Sequence, residues 1–163
     1  YSDGGIIALL LAIKRPELVR SVVTLGANFH HTGTLPLPDF DGVVSPEDQE
    51  EYNRTSPDAP ETLAQKIERM ITIWRTEPKL TTDDLAKIQC PVLVMAGDDD
   101  VIAHSHTIEL FENIPLGQLA VLPGTSHGFV KEKPGLAQLH IREFLEDMSY
   151  PVTRMPIRRK GIN

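Results

Sequence analysis

Residues 91–100 read Pro-Val-Leu-Val-Met-Ala-Gly-Asp-Asp-Asp, an apolar run that ends in a glycine and three acids. A short, continuous apolar run of this kind predicts a strand that is covered on both faces, as in a parallel sheet. Residues 21–25 and 118–122 predict two more strands of that sheet, and helical segments separate the three. This alternation indicates an α/β fold in which helices lie on both faces of the sheet.

The segment between the first two strands has a different character from the rest. Residues 27–57 hold many turn-forming residues, and residues 63–74 carry a single apolar stripe with helical spacing. We therefore predict an α/β core from residues 1–26 and 89–148, a small helical cap insertion from residues 27–88, and a tail from residues 149–163.

Composition restricts the function classes. The 163 residues carry a net charge of −7, which argues against nucleic-acid binding, because phosphate backbones are bound by clustered Lys and Arg. The apolar stretches fall short of the roughly 18 residues that span a bilayer, so we expect no membrane association. Cys90 is the single cysteine, which excludes an intrachain disulfide. No signal peptide is visible in this sequence, and we expect a cytoplasmic location.

Residues 1–5, Tyr-Ser-Asp-Gly-Gly, open directly onto an apolar helical segment. Serine hydrolases place their nucleophile in a sharp strand-to-helix turn, G-x-S-x-G, where small flanking residues allow tight packing. Ser2 has the following glycine of this pattern in Gly4. The alternative is that Ser2 only caps the helix.

Two further residues lie where the ends of the predicted strands should meet. Asp100 follows the strand at 91–96, and His127 follows the strand at 118–122 through a glycine-containing turn. Functional groups collect at the carboxyl ends of strands in such sheets. The chain order Ser2, Asp100, His127 is the order expected of a serine hydrolase of this type.

The neighbouring acids and histidines have simpler interpretations. Asp98 and Asp99 are expected to be solvated, as acids in loops usually are. His104 and His106 raise the possibility of a metal site, but no carboxylate or thiol spacing completes a four-ligand set. We therefore expect no metal and no cofactor.

Three blocks, residues 2–5, 91–100 and 124–127, together resemble the α/β-hydrolases. Tyr-Ser-Asp-Gly-Gly at residues 1–5, followed by Leu-Gly-Ala-Asn at residues 25–28, is similar to the valacyclovir-hydrolase (biphenyl-hydrolase-like) branch. The resemblance implies the carboxy-terminal half of a doubly wound, mostly parallel sheet with a cap.

The same resemblance implies roles for four residues. Ser2 would be the nucleophile, His127 the general base and then acid, and Asp100 the residue that orients the imidazole. The backbone N–H of Asp3 would be one oxyanion donor, and its side chain would meet an ammonium group of the substrate.

The predicted activity is hydrolysis of a small-molecule carboxylic ester or amide through an acyl-serine intermediate. A carbon–carbon bond hydrolase with the same triad and a non-catalytic binding module are the alternatives. We also expect the chain to work with an amino-terminal half of the same fold, in the same or a separate polypeptide. A second oxyanion donor comes from a loop earlier in this fold, and the strand at 21–25 would otherwise present an apolar edge.

Overall fold

The computed structural model describes residues 1–36 and 39–149; the predicted tail therefore lies, except for its first residue, outside the described residues. Seven α-helices and three strands follow one another in the described part, together with three short 3₁₀ turns. They are α1 (Asp3–Lys14), β1 (Val22–Leu25), α2 (Pro46–Thr55), α3 (Leu63–Thr76), α4 (Thr82–Leu85), β2 (Val92–Asp99), α5 (His104–Asn113), β3 (Gly117–Ser126), α6 (Phe129–Glu132) and α7 (Pro134–Glu146). The 3₁₀ turns are Pro16–Leu18, His31–Gly33 and Pro60–Thr62.

The strands form one sheet in the order β1-β2-β3, and both pairings are parallel. Val92 of β2 is in register with Val22 on one side and with Gly117 on the other. The predicted α/β fold with a parallel sheet is confirmed, and each predicted strand lies within an observed one or overlaps most of it.

Helices cover both faces of the sheet, which explains why its strands are apolar at consecutive positions. On one face, Val92 and Val94 pack with residues of α1, α4 and α5 in a buried cluster. On the other face, Leu93 and Met95 pack with residues of α6 and α7. Successive residues of β2 thus point into two separate apolar layers.

Capping residues mark the beginning of two of the helices. Ser45 caps α2 by accepting a hydrogen bond from the Asp48 N–H at 3.0 Å, and Thr81 and Asp84 form a capping box at α4. Helix α3 begins at Leu63, directly after a 3₁₀ turn, and contains the whole of the apolar stripe predicted at residues 63–74. Helix α6 was not predicted, since four residues are too few to show a helical period.

Helices α2 and α3 differ from the others in their burial. None of their residues, all of which the structure describes, is fully buried. The predicted apolar stripe of α3 exists, but it is half-buried at best and Met70 and Ile73 are exposed. Within the described ranges, no helix has both the length and the apolar character to cross a bilayer.

Candidate active site

The three predicted residues meet at the carboxyl ends of the strands. The Ser2 N–H donates to the Leu25 carbonyl at the end of β1, with a distance of 2.7 Å. Asp100 directly follows β2, and His127 directly follows β3. Because the strands are parallel, these ends share one edge of the sheet, and side chains that are up to 125 residues apart in sequence come into contact.

Ser2 has a backbone conformation that non-glycine residues rarely adopt. Its φ is 49° and its ψ is −124°, and α1 begins at the next residue. Within the described part of the chain, the Ser2 side chain makes no capping hydrogen bond to α1. The alternative of a purely capping serine is therefore wrong, and the turn instead holds the hydroxyl toward His127.

The two glycines after this turn are under different constraints. A Cβ on Gly4 would meet no described atom within 4 Å, whereas a Cβ on Gly5 would lie 2.7 Å from the Cβ of Ala27. The expectation that Gly4 is needed for tight packing is thus not met among the described residues. It is Gly5 that allows α1 to approach the segment after β1.

A chain of two hydrogen bonds joins the three side chains. His127 Nδ1 lies 2.7 Å from Asp100 Oδ1, and His127 Nε2 lies 3.1 Å from Ser2 Oγ. An ionised carboxylate only accepts hydrogen bonds, so Nδ1 carries the hydrogen of the neutral ring. Nε2 is then left as the acceptor for the Ser2 hydroxyl, which is the arrangement that a general base requires.

Asp100 is the most enclosed of the three side chains. Its side chain is 0% exposed, compared with 22% for His127. Burial disfavours its ionisation, but hydrogen bonds from His127 and from the Ile102 N–H, the latter at 3.0 Å, outweigh this effect and lower the pKa of Asp100. The carboxylate is therefore ionised at neutral pH and can hold the ring.

Gly26, which directly follows β1, lies against the histidine–aspartate pair. Its φ is +61°, and a Cβ at this position would lie 2.8 Å from two ring atoms of His127 and 3.3 Å from Asp100 Oδ2. The backbone of Gly26 thus forms the wall behind the histidine–aspartate pair. In the sequence, Gly26 is marked by its place after the first strand and by the Leu-Gly-Ala-Asn run at residues 25–28, and neither shows its contact with His127.

Asp98 holds the turn that carries His127. Its carboxylate accepts hydrogen bonds from the N–H groups of Gly124 and Thr125, at 2.7 and 2.9 Å, and these bonds lower its pKa. Asp98 is exposed, as expected of a solvated acid, but its carboxylate also has a structural role. An acid near the end of β2 has a structural role here because the parallel pairing places backbone amides near the end of β3 beside it.

Asp3 presents two groups near Ser2. Its N–H stands at the first position of α1, where a helix leaves its amides without internal partners and where the helix dipole favours negative charge. Its carboxylate oxygen Oδ2 accepts a hydrogen bond from the indole Nε1 of Trp74, at 3.0 Å. That contact joins α1 to α3 and was not visible in the sequence.

The histidines at 104 and 106 have structural roles. His106 is buried, its ring stacks on Phe29 with centroids 4.1 Å apart, and its Nε2 accepts from the Phe29 N–H at 3.2 Å. Burial, together with the nearby His30, lowers the pKa of His106 to about 4, so that it is neutral at physiological pH. Among the described residues, no group of three or more potential ligands could hold a metal ion.

The chain matches solved structures of α/β-hydrolases. A serine hydrolase involved in carbazole degradation is 20% identical to it, with a TM-score of 0.65 over 89% of this chain and 61% of that protein. A proline iminopeptidase from Mycobacterium smegmatis is 21% identical, with a TM-score of 0.60 over 90% of this chain and 63% of that protein.

A meta-cleavage product hydrolase from Pseudomonas fluorescens IP01 is 17% identical, with a TM-score of 0.58 over 89% of this chain and 62% of that protein. At these identities the similarity shows the fold, which is that of the α/β-hydrolases. The chain spans 61–63% of the length of these three proteins. No protein-family model and no curated protein matches the sequence.

Proposed function

We propose that the protein is a serine hydrolase that cleaves a small-molecule carboxylic ester or amide through an acyl-serine intermediate. The observation that carries the proposal is the continuous chain of hydrogen bonds from Asp100 through His127 to Ser2. The strained turn at Ser2 and the buried, ionised state of Asp100 support it.

In the proposed mechanism, His127 Nε2 accepts the Ser2 proton while Ser2 Oγ bonds to the substrate carbonyl carbon. Asp100 stabilises the resulting imidazolium and keeps its orientation. The Asp3 N–H, at the positive end of α1, stabilises the oxyanion. The tetrahedral intermediate then breaks its bond to the leaving group, which takes the proton from His127 and departs as the alcohol or amine.

The second half of the reaction repeats these steps with water. His127 removes a proton from water, whose oxygen bonds to the acyl carbon. The bond between that carbon and Ser2 Oγ then breaks, Ser2 regains its proton from His127, and the carboxylic acid leaves. No metal or cofactor takes part in the proposed chemistry.

The open edge of β1 supports the proposal that further strands complete the fold. Within the described residues, β1 pairs only with β2. Helix α1 and the 3₁₀ turn after it, which precede β1 in the chain, expose large apolar side chains, including Ile7 at 58% and Leu18 at 66%. We propose that an amino-terminal half of the same fold, in the same or a separate chain, covers this surface and supplies a second oxyanion donor.

Cleavage of a carbon–carbon bond is the second candidate. The similarity to the meta-cleavage product hydrolase favours it, since that protein shares the fold. Comparing the turnover of p-nitrophenyl esters with that of diketones on one preparation distinguishes the two candidates. We also propose a cytoplasmic location, which suits the presence of one cysteine, Cys90, in these 163 residues.

Labelling with a fluorophosphonate tests the proposed function directly. In the full protein we expect the probe to modify Ser2, and we expect Ser2→Ala to abolish labelling. His127→Ala should slow labelling by several orders of magnitude, because the hydroxyl then has no base. If the wild-type protein folds and is not labelled, the non-catalytic binding module becomes the better interpretation.

A further inference from the structure

A hydrogen bond joins Trp74 of α3 to Asp3 of α1. Trp74 lies in the last turn of α3, and Asp3 is the first residue of α1, directly after Ser2. Their side chains are 71 residues apart in sequence, and Nε1 and Oδ2 are 3.0 Å apart. This bond is a direct link between the helical segment and the proposed nucleophile turn.

Helix α3 is otherwise held by exposed polar contacts, such as that of Arg75 with Asp39 at 2.7 Å, and by few apolar ones. It buries none of its residues, all of which are described, and it packs mainly on the 3₁₀ turns at 60–62 and 31–33. Just beyond the end of α3, the His31 N–H donates to the Pro78 carbonyl and the Leu80 N–H donates to the Phe29 carbonyl. The carboxy-terminal end of α3 is therefore tethered, and Trp74 lies about one turn before the tether.

The chemistry of the pair shows what Asp3 contributes. An indole N–H can only donate, and a carboxylate oxygen can only accept. The bond needs an acceptor oxygen at position 3 but does not need a negative charge. A substrate ammonium group, by contrast, would be attracted mainly by the charge.

We infer that Trp74 is a positioning residue, which holds α3 against the Ser2 turn through its bond to Asp3. This inference rests on the proposed function and deepens it. The Asp3 carboxylate binds the indole N–H of α3, while the Asp3 N–H would donate to the oxyanion. A substrate ammonium group is then not required, and the enzyme accepts esters with and without one.

Four variants of the full protein test this inference on an amino-acid ester and its des-amino analogue. We expect Asp3→Ala and Trp74→Phe each to lower kcat/KM by roughly two- to tenfold for both esters, as for the loss of one hydrogen bond. Asp3→Asn should recover most of the loss, because its amide oxygen accepts from the indole. Met70→Ala, which truncates another exposed side chain of α3, is the control.

Two results would overturn the inference. One is a loss in Asp3→Asn that affects the amino-acid ester alone, which would assign the carboxylate to a substrate cation. The other is a loss of kcat/KM in the Asp3→Ala/Trp74→Phe double variant that equals the sum of the two single losses in free energy. Either single variant already removes the shared bond, so the double variant should lose little more than one of them.

Hydrogen exchange separates this inference from the proposed function. Amides at residues 63–76 should exchange faster in Asp3→Ala than in the wild type, and Asp3→Asn should restore their protection. This measurement needs no substrate, so it holds even if Ser2 proves unreactive toward the fluorophosphonate. Equal exchange in all three proteins would show that the bond does not position α3.

Discussion

The strand-end site and the helical segment at residues 46–76 lie in one chain but are held in place by different means. Asp100 and His127 directly follow β2 and β3, and Ser2 is hydrogen-bonded to the end of β1. The side chains of these strands are buried in two apolar layers. The helical segment has no buried residue in either of its helices and relies on exposed polar contacts such as Arg75 with Asp39 and Trp74 with Asp3.

The difference has a physical consequence for each region. A buried layer fixes many side chains at once, so the distances among Ser2, His127 and Asp100 depend on the whole core. Exposed hydrogen bonds and ion pairs contribute little individually, because water competes for the same groups. The helical segment can therefore shift when a single contact is lost, whereas the site cannot.

The largest effect is expected from a change at Asp100, the buried acid beside His127. Asp100→Asn should lower kcat for ester hydrolysis by about 10⁴, because an amide allows the wrong tautomer of His127. The neighbouring Asp99→Asn is the matched control, since Asp99 is exposed and lies outside the hydrogen-bond chain. If Asp99→Asn lost most of its activity while Asp100→Asn stayed nearly normal, Asp99 and not Asp100 would be the acid that orients His127.

A pair of truncations compares the stability of the two regions. Leu85 is fully buried beneath α1 and α5, and Leu85→Ala should lower the free energy of unfolding by about 2–5 kcal/mol. Ile73 in α3 is 55% exposed, and Ile73→Ala should cost less than about 1 kcal/mol. Urea unfolding measures both, and equal losses would break the distinction drawn between core and helical segment.

A smaller effect is expected from the wall behind His127. Gly26→Ala places a methyl group against the ring and should lower kcat roughly ten- to a hundredfold by displacing the imidazole. Gly42→Ala is the control: Gly42 also has a positive φ, of +86°, but a Cβ there would meet no described atom within 4 Å. If both variants lose activity equally, backbone strain and not the contact with His127 is the cause.

The elements that the sequence predicts are those with a local signature. The strand at residues 91–96 is a continuous apolar run, and Ser45 and Thr81 occur with their capping partners three residues later. Asp100 and His127 could be identified because parallel strands bring their ends to one edge, whatever the details of packing.

The contacts that the sequence does not predict all cross long separations. Trp74 and Asp3 lie 71 residues apart, and Phe29 and His106 lie 77 apart. The role of Gly26 depends on where the His127 ring stands, which no pattern around residue 26 records. Asp98 gives the same signal in sequence as its exposed neighbour Asp99, and only the position of the next turn distinguishes them.

The close approach of α1 to the segment after β1 restricts how this sequence can vary over evolution. Gly5 lies so close to the Ala27 side chain that the two positions share a volume sufficient for about one methyl group. A lineage that acquires a larger residue at position 27 must therefore keep glycine at position 5. Gly4, which faces open space among the described residues, is under no such mutual restriction. Among related chains, a side chain larger than hydrogen at position 5 should accordingly occur only where position 27 is glycine, while position 4 varies independently of position 27.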